Sequence, residues 1–394
     1  MKKSAIIAAL LLLFIGESFA QRNPYTRRLG ENKSKRKEFI LPQVNGYNIY
    51  KADLHTHTAF SDGSLMPKAR VEEAFRDGMD IIAITDHIEY RTNEQKFLDF
   101  TGGYHKGTPK AKNNLIHREA ADKDGIRVDL NFSITDAYKY GKRYGVMIIP
   151  GAEISRHPDQ YGHFNALFIK DANTIYDPVP EESLRKAKAQ GALVMHNHPG
   201  WRRSTIERNE WHTKIYQEGL IDGIEIINGL SSWPRLLATC KEEKLFIGAG
   251  TDIHGVSPYN INGYHRTCTF IFAKACNEAE IKKAIKEGRT LAYGANNVMG
   301  DKQLLSDLFN ASIVATVLRQ DEDGKRVVLL TNNSSIPYHI RRGSKGVGLY
   351  IEPFSSGTVE LKPGQKPEYF VTNMWYGDQE KPNSANPKVL IELD

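Results

Sequence analysis

The chain has 394 residues, of which 40% are hydrophobic and 25% charged, and this length is enough for more than one hydrophobic core. Its 32 glycines and 17 prolines exclude a collagen-like, low-complexity or wholly disordered protein. A formal net charge of +6 favours anionic partners without requiring nucleic acid.

The N-terminus has the features of a signal peptide. Two lysines precede an apolar run at 5–15 that is too short to span a bilayer, and Ser18-Phe19-Ala20 supplies small residues at a cleavage site. We therefore predict a signal peptide at 1–20, export to the periplasm or the exterior, and no transmembrane span in the mature chain. The alternative is an N-terminal anchor. Residues 21–45, rich in Lys and Arg, predict a solvated basic linker.

Cys240, Cys268 and Cys276 are too few, and odd in number, for a disulfide framework. One pair could form a bridge and leave the third thiol free, and the sequence does not indicate which pair. Buried packing is the favoured role for these three residues, ahead of metal binding.

Residues 46–298 alternate short apolar runs with amphipathic stretches, a pattern typical of β-α units. The predicted strands are 49–54, 81–85, 146–150, 164–169, 192–196, 223–227, 245–249 and 267–272. The predicted helices are 67–76, 134–144, 181–189, 233–243 and 278–287. The segment 88–131 is long and polar, and we interpret it as a lid or substrate loop, or else as a decorative insertion.

Residues 299–394 show a different pattern, with short β-rich runs separated by turn signals. The predicted strands are 313–318, 326–330, 337–341, 348–351, 358–361, 369–372 and 389–393. This pattern predicts a small all-β, immunoglobulin-like sandwich. Its role is either packing against the first domain or binding a carbohydrate or surface.

Histidines and carboxylates accumulate where the predicted strands end. His55 and His57 lie two residues apart and share one face of a strand, and Asp62 follows in a turn. Later strands end in Asp86-His87, Glu153, His196-Asn197-His198 and Asp252-Ile253-His254, and His163 opens another strand.

In a parallel barrel the carboxyl ends of all strands meet at one rim, so these side chains are expected to converge. A single histidine there is more often an ordinary core residue. Buried imidazoles and carboxylates together, however, repel or stay unpaired unless cations organise them. The sequence therefore predicts a metal centre.

These motifs resemble those of the PHP (polymerase and histidinol phosphatase) superfamily over about residues 49–295. The matching motifs are His55-Thr56-His57, Ser61-Asp62-Gly63, Thr85-Asp86-His87, Gly151-Ala152-Glu153, His163, Asn197-His198-Pro199 and Asp252-Ile253-His254. The resemblance implies a distorted (β/α)7 barrel whose rim holds two or three Zn, Mn or Fe ions and hydrolyses phosphate esters. The chain looks closest to stand-alone phosphoesterases, because no polymerase segments accompany it.

The resemblance also implies a ligand set. One ion would be held by His55, His57, Glu153 and Asp252, and Glu153 would bridge to a second ion held by His163 and His198. A third ion would be held by Asp62, His87 and His254. We further predict catalytic contributions from Asp86, His196, Arg202 and Glu225, in which Asp86 and Glu225, together with Asn228, orient imidazoles. His196 either points away or hydrogen-bonds a phosphate oxygen.

The mixed imidazole and carboxylate set suits Zn, Mn or Fe, and such ions generate hydroxide from water near neutral pH. We therefore predict hydrolysis of a small phosphorylated substrate by a metal-bound hydroxide. Arg202 and Arg203 are either a phosphate clamp or ordinary surface charge. Nucleic acid is not favoured, because no basic stripe with interleaved aromatics follows the linker. The alternatives are hydrolysis of a non-phosphate bond and a non-catalytic module that binds through the C-terminal sandwich.

Overall fold

The computed structural model describes residues 35–93, 129–155, 161–259, 263–343, 348–378 and 385–393. The predicted signal peptide, most of the predicted linker and most of the 88–131 segment lie outside the described residues. Those predictions therefore stay predictions.

A large sheet of short, buried strands organises the first part of the chain. Its first eleven strands are β1 (Asn48–Asp53), β2 (Ile81–Ile84), β3 (Met147–Ser155), β4 (His163–Leu167), β5 (Leu193–Asn197), β6 (Gly223–Asn228), β7 (Ser231–Ser232), β8 (Phe246–Gly250), β9 (Cys268–Ala273), β10 (Thr290–Gly294) and β11 (Asn297–Gly300). The helices are α1 (Pro67–Arg76), α2 (Phe132–Tyr144), α3 (Pro180–Ala189), α4 (Glu210–Gln217), α5 (Leu236–Glu242), α6 (Glu278–Lys286) and α7 (Lys302–Ser312). Each predicted strand and helix of this region is present within a few residues, whereas α4, β7, β10, β11 and α7 were not predicted.

Strand β2 and helix α1 illustrate why these segments adopt their structures. All four residues of β2 are apolar and fully buried, as expected for a strand covered on both faces. Helix α1 begins at Pro67, whose fixed φ suits a first helical turn, and it buries Val71 and Ala74. The chain leaves the helix through Gly78, whose φ of 87° favours glycine.

Seven strands curl into a barrel-like wall in the order β1-β2-β3-β4-β5-β6-β8. The segment after β8 returns to the end of β1, where the His57 amide donates to the Ile253 carbonyl at 3.2 Å and the Asp252 amide donates to the His55 carbonyl at 2.8 Å. Strands β9, β10 and β11 extend the sheet from β1 in antiparallel order. This arrangement fits the predicted distorted barrel.

The expectation that every strand of the barrel runs parallel is wrong for β4. Strand β4 pairs antiparallel with both β3 and β5. The physical reason is the short connection, because only residues 156–162 join β3 to β4, and a parallel crossover needs about a dozen residues. The amino end of β4 therefore lies at the same rim as the carboxyl ends of its neighbours.

The C-terminal part forms two small antiparallel sheets, as predicted for an all-β unit. One contains β12 (Ile313–Gln320), β13 (Arg326–Asn332) and β16 (Ser356–Leu361). The other has the order β15 (Gly348–Ile351), β14 (Tyr338–Arg341), β17 (Glu368–Val371) and β19 (Lys388–Leu390). Strand β18 (Met374–Trp375) instead joins the large sheet beside β11. The immunoglobulin-like assignment stays a prediction.

All three cysteines are free thiols, with Cys240 and Cys268 buried and Cys276 exposed. Burial raises the pKa of Cys240 to about 12, so this thiol stays protonated and behaves as an apolar packing group. Among the described residues, no helix combines the length and apolar character needed to cross a bilayer.

Candidate metal centre

All nine predicted metal ligands lie together at one rim of the barrel. Strands β1, β2, β3, β5 and β8 deliver their ligands at or near their carboxyl ends, and the antiparallel β4 delivers one at its amino end. An isolated bridge between His87 and Glu153 continues the pairing of β2 and β3 at this rim. The predicted ligands are His55, His57, Asp62, His87, Glu153, His163, His198, Asp252 and His254.

The first group of ligands contains His55, His57, Glu153 and Asp252. The Nε2 atom of His57 lies 3.2 Å from Oε2 of Glu153 and 3.0 Å from Oδ1 of Asp252. The Nε2 atom of His55 lies 3.3 Å from each of the same two oxygens. Four donor atoms of two histidines and two carboxylates therefore face one point, as the resemblance implied for the first ion.

The second group shares Glu153 with the first. Its other carboxylate oxygen, Oε1, lies 2.9 Å from Nδ1 of His163 and 3.8 Å from Nε2 of His198. The two oxygens of Glu153 thus face different groups, and this is the geometry of a carboxylate that can bridge two ions.

The third group contains Asp62, His87 and His254, and His57 also belongs to it. Oδ2 of Asp62 lies 3.1 Å from Nε2 of His254 and 3.6 Å from Nε2 of His87. The Nδ1 atom of His57 is 3.6 Å from the other oxygen of Asp62. His57 therefore faces the first group with one ring nitrogen and the third group with the other.

Divalent ions would pair buried donor atoms of this cluster that other protein atoms leave without a partner. The Nε2 atom of His57 and Oδ1 of Asp62 are buried and have no hydrogen-bond partner among the described residues. Oε2 of Glu153 and Oδ1 of Asp252 approach Nε2 of His57, yet neither accepts a hydrogen bond from it. Separations of about 3 to 3.5 Å match those between neighbouring ligand atoms that each lie about 2.1 Å from a shared ion.

Electrostatics in this cluster also indicate a cation site. Burial alone would lower the pKa of a histidine, but Asp252 and Glu153 outweigh burial and raise the pKa of His57 to about 10. In turn the surrounding histidines hold the pKa values of Glu153 and Asp252 well below their usual range, although burial opposes this. Without metal, protons on imidazoles therefore balance the buried carboxylates, and a bound ion has to displace them.

Glu225 and Asp86 contact the ligands and their loops and act as positioning residues. Glu225 accepts a hydrogen bond from Nδ1 of His55 at 3.0 Å and another from the His198 amide at 2.9 Å. The side chain of Asn228 donates to Glu225 at 3.1 Å. Such contacts fix which nitrogen of His55 faces the first group. Glu225 also lies close enough to His55 and His198 to be a ligand itself.

Asp86 stabilises the loop that carries Asp62. It accepts hydrogen bonds from the amide and the hydroxyl of Thr58, both at 2.6 Å, and from the hydroxyl of Ser61 at 2.8 Å. This arrangement orients the turn between β1 and α1 and does not place Asp86 among the converging ligand atoms.

His196 is a predicted catalytic residue whose side chain has its hydrogen bond and its stacking contacts outside the cluster. Its Nδ1 atom is 2.9 Å from the Tyr216 hydroxyl, and its ring stacks on Phe164 and His212. The intervening Asn197 points into the site instead and donates to Oε1 of Glu153 at 3.1 Å. Of the two alternatives for His196, the geometry therefore agrees with pointing away.

Arg202 lies at the edge of the site. It is exposed, and its guanidinium stacks over the Trp201 ring at 4.3 Å from the ring centre. That ring is 5.3 Å from the ring of His163 and 5.4 Å from the ring of His198. Arg203 instead donates to the backbone carbonyls of Pro199 and Glu207, so it stabilises the turn.

Sequence reasoning missed Arg70, which positions two of the ligand segments. This fully buried arginine of α1 donates to the His57 carbonyl at 2.8 Å and to the His254 carbonyl at 3.2 Å. It also contacts Glu73 of the same helix. An arginine in an amphipathic helix usually indicates a solvent-exposed face, so the sequence carried no signal for this role.

Comparison with known proteins agrees with this geometry. Residues 53–316 match the family model of the PHP domain. The chain belongs to the PHP domain family. The matched region includes every predicted metal ligand of this PHP protein. A search of curated proteins found no match.

Among solved structures, the PHP chain is similar to a two-domain protein of Bacteroides vulgatus described as containing a predicted PHP-like metal-dependent phosphoesterase. The identity is 28%, the TM-score is 0.75, and the match covers 90% of this chain and 99% of the other. A proposed metal-dependent phosphoesterase of Bifidobacterium adolescentis matches with 17% identity and a TM-score of 0.35, over 52% of this chain and 88% of the other. A lesion-specific endonuclease of Pyrococcus furiosus matches with 16% identity and a TM-score of 0.36, over 64% and 59%. The last two are weak likenesses.

Proposed function

We propose that this PHP protein is a metal-dependent phosphoesterase that holds two or three Zn, Mn or Fe ions at the rim of its barrel. The main support for the proposal is the position of the Glu153 carboxylate, whose two oxygens face two different groups of histidines within 3.8 Å. A carboxylate shared in this way brings two cations close enough to act on one phosphate.

The chain's own residues would divide the work as follows. His55, His57, Glu153 and Asp252 would hold one ion, His163 and His198 with Glu153 a second, and Asp62, His87 and His254 a third. When bound, such ions supply Lewis acidity and lower the pKa of a water from 15.7 to about 7. Glu225 and Asp86 keep the ligand segments in place through the contacts described above.

We extend the proposal to Arg202 as a phosphate-binding residue. No carboxylate of the described residues lies within ion-pair distance of this guanidinium. It stacks on Trp201, whose ring is 5.3 Å from the His163 ring and 5.4 Å from the His198 ring. A stacked guanidinium loses little freedom when it binds, and its planar fork matches a phosphate group. Arg202→Lys keeps the charge and removes the fork, so we expect a higher KM with a smaller change in kcat.

The test is hydrolysis of matched phosphomonoesters and phosphodiesters by the protein reconstituted with Mn or Zn, with a chelator control. We expect chelator-sensitive release of product from one ester class, and His57→Ala should abolish it. His339→Ala is the matched control, because His339 is exposed on β14 of the C-terminal sheets. Full activity of His57→Ala, or no turnover with metal bound, would overturn the proposal and favour a non-phosphate substrate or a binding module.

We also propose that the protein acts after export, as the composition of residues 1–20 predicts. Cell fractionation with N-terminal sequencing of the recovered protein tests this, and a mature chain that begins at Gln21 is the expected result. An uncleaved chain in the cytoplasm would contradict it.

A further inference from the structure

Three large apolar side chains are exposed around the mouth of the metal centre. Trp201 is 40% exposed, Leu230 is 68% exposed and Val256 is 72% exposed. Each follows a residue of the site by two or three positions: Trp201 follows His198, Leu230 follows Asn228 and Val256 follows His254. We call these three residues the apolar rim.

The turns that carry the apolar rim are fixed by hydrogen bonds. Leu230 is the tip of the tight hairpin between β6 and β7, and the neighbouring Gly229 donates to the Gly250 carbonyl at 2.9 Å and accepts from the Thr267 hydroxyl at 2.7 Å. The Trp201 amide donates to the His198 carbonyl at 2.8 Å. Hydrogen bonds therefore order the turns that expose Leu230 and Trp201.

Val256 lies between two anchored residues. The buried Arg70 donates to the carbonyl of Gly255 at 3.0 Å, and the amide of Ser257 donates to Glu73 at 3.0 Å. The hydroxyl of Ser257 also donates to Asp77 at 2.6 Å. Val256 is therefore exposed although the residues on both sides of it are anchored.

The three turns are neighbours around the mouth, because β5, β6 and β8 are consecutive in the wall. Isolated exposed apolar residues are common on protein surfaces, but these three lie on turns that follow three adjacent strands at one site, where one ligand can contact more than one of them. A cationic group accompanies them, because the guanidinium of Arg202 stacks on the Trp201 ring. The turns around the metal centre therefore combine apolar side chains with a positive charge.

We infer that the apolar rim binds the organic group of the substrate, so that the preferred substrate is a phosphate ester of an apolar alkyl or aromatic alcohol. The inference rests on the proposed function for the position of the phosphate. With the phosphate at the ions and Arg202, the ester's organic group has to leave the site across these turns. Burial of apolar surface there would strengthen binding as the organic group lengthens.

The test is calorimetric binding of n-alkylphosphonates, from ethyl to octyl, to the metal-loaded full chain. These probes keep the anionic head group constant and have no ester bond to cleave, so the measurement does not depend on turnover. We expect affinity to rise with chain length by up to about fourfold per methylene until the rim is covered. An affinity that is the same for ethyl- and octylphosphonate, or no binding of either, would overturn the inference.

Variants separate the rim from general hydrophobicity. Leu230→Ser and Trp201→Ala should each lower the octyl-to-ethyl affinity ratio by about tenfold. Leu318→Ser is the matched control, because Leu318 is 56% exposed on β12 of the C-terminal sheets, and it should leave the ratio unchanged. An unchanged ratio in both rim variants would contradict the inference even if the wild type shows the chain-length dependence.

Different results would overturn the phosphoesterase proposal and the rim inference. If alkyl phosphates of every length are hydrolysed equally well and the phosphonates show no chain-length dependence, the phosphoesterase function stands and the rim inference falls. If the phosphonates show the dependence but no ester is hydrolysed, the rim binds apolar anions and the proposed function falls.

Discussion

Strand β13 in the C-terminal sheets alternates partly exposed and buried residues, and Val328 and Leu330 supply its buried apolar side chains. Strand β2 in the barrel is buried at every position, and the burial continues through Asp86 and His87 beyond its end. The first pattern stabilises a core by apolar contact alone. The second places charged groups in a buried position, where they need partners that apolar packing cannot supply.

The two regions should therefore respond differently to the same kind of change. Loss of a charged residue at the barrel rim should remove metal and activity. Loss of an apolar residue in the C-terminal sheets should remove stability and leave the metal centre intact. Four variants test this separation.

Glu153→Gln should have the largest effect. The amide keeps the shape of the side chain but supplies only one oxygen, so it cannot serve two groups of histidines at once. We expect hydrolysis to fall by about a thousandfold or more, because a several-kcal/mol contribution of metal to the barrier is lost. Steady-state kinetics at saturating Mn or Zn measure it. Glu368→Gln, on β17, is the control. An active Glu153→Gln enzyme would contradict the claim that charged residues at the barrel rim are needed for activity.

Leu330→Ala should show the opposite behaviour. Leu330 of β13 is fully buried in the hydrophobic core, and its truncation leaves a cavity there. We expect a loss of about 2–5 kcal/mol in the free energy of unfolding, measured by urea denaturation. Metal content per folded chain should stay that of the wild type, and a parallel loss of metal would show that the two regions are coupled.

Asp86→Asn should have an intermediate effect on the site. The amide group would place a donor against the amide or hydroxyls that now donate to Asp86, and the turn carrying Asp62 would shift. We expect metal affinity or kcat to fall by about 10–100-fold. Asp321→Asn, in the β12–β13 turn, serves as control. Wild-type affinity and kcat in Asp86→Asn would remove the positioning role.

His212 should give the smallest effect, a loss of stability in acid. Burial, with Arg203 and Arg208 nearby, lowers the pKa of this histidine from 6.5 to about 4 in the folded protein. Between pH 6.5 and 4 the unfolded chain therefore binds the extra proton, and stability is lost as the pH falls through this range. We expect a contribution of about 1–2 kcal/mol, because solvent screens the partly exposed arginines.

The measurement is the urea midpoint at pH 7 and at pH 4.5 for the wild type and His212→Gln. The variant should lose less stability between the two pH values than the wild type does. Equal losses in both proteins would show that His212 does not titrate as its surroundings indicate.

The convergence of the ligands could be predicted from the sequence because five of the seven barrel strands, β1, β2, β3, β5 and β8, are apolar runs that lead into a histidine or carboxylate. The direction in which each side chain points could not be predicted. For His196 two orientations were left open, because residues two apart share a face only while the strand continues. Strand β5 ends at Asn197, and His198 has a φ of 26°, which redirects its side chain. That left-handed value depends on the following turn and leaves no trace in the spacing.

The direction of β4 could not be predicted from the sequence, because the predicted strands 146–150 and 164–169 leave thirteen residues between them, which is enough for a crossover. Only the extension of β3 to Ser155 shortens the connection to seven residues. The closing contact between the segment after β8 and the end of β1 could not be predicted either, since it joins residues about 200 positions apart through backbone atoms. Arg70 likewise acts on backbone carbonyls, which are the same in every residue and carry no sequence signal.

The most direct test of the account is the number of ions that the folded protein binds with and without a shared Glu153. Metal content should be counted by elemental analysis, and ion positions located by anomalous diffraction, in the wild type and in Glu153→Gln. We expect two or three ions in the wild type, next to the three ligand groups, and a loss of at least one in the variant. An equal count in both proteins, or no ion at this rim in the wild type, would contradict it.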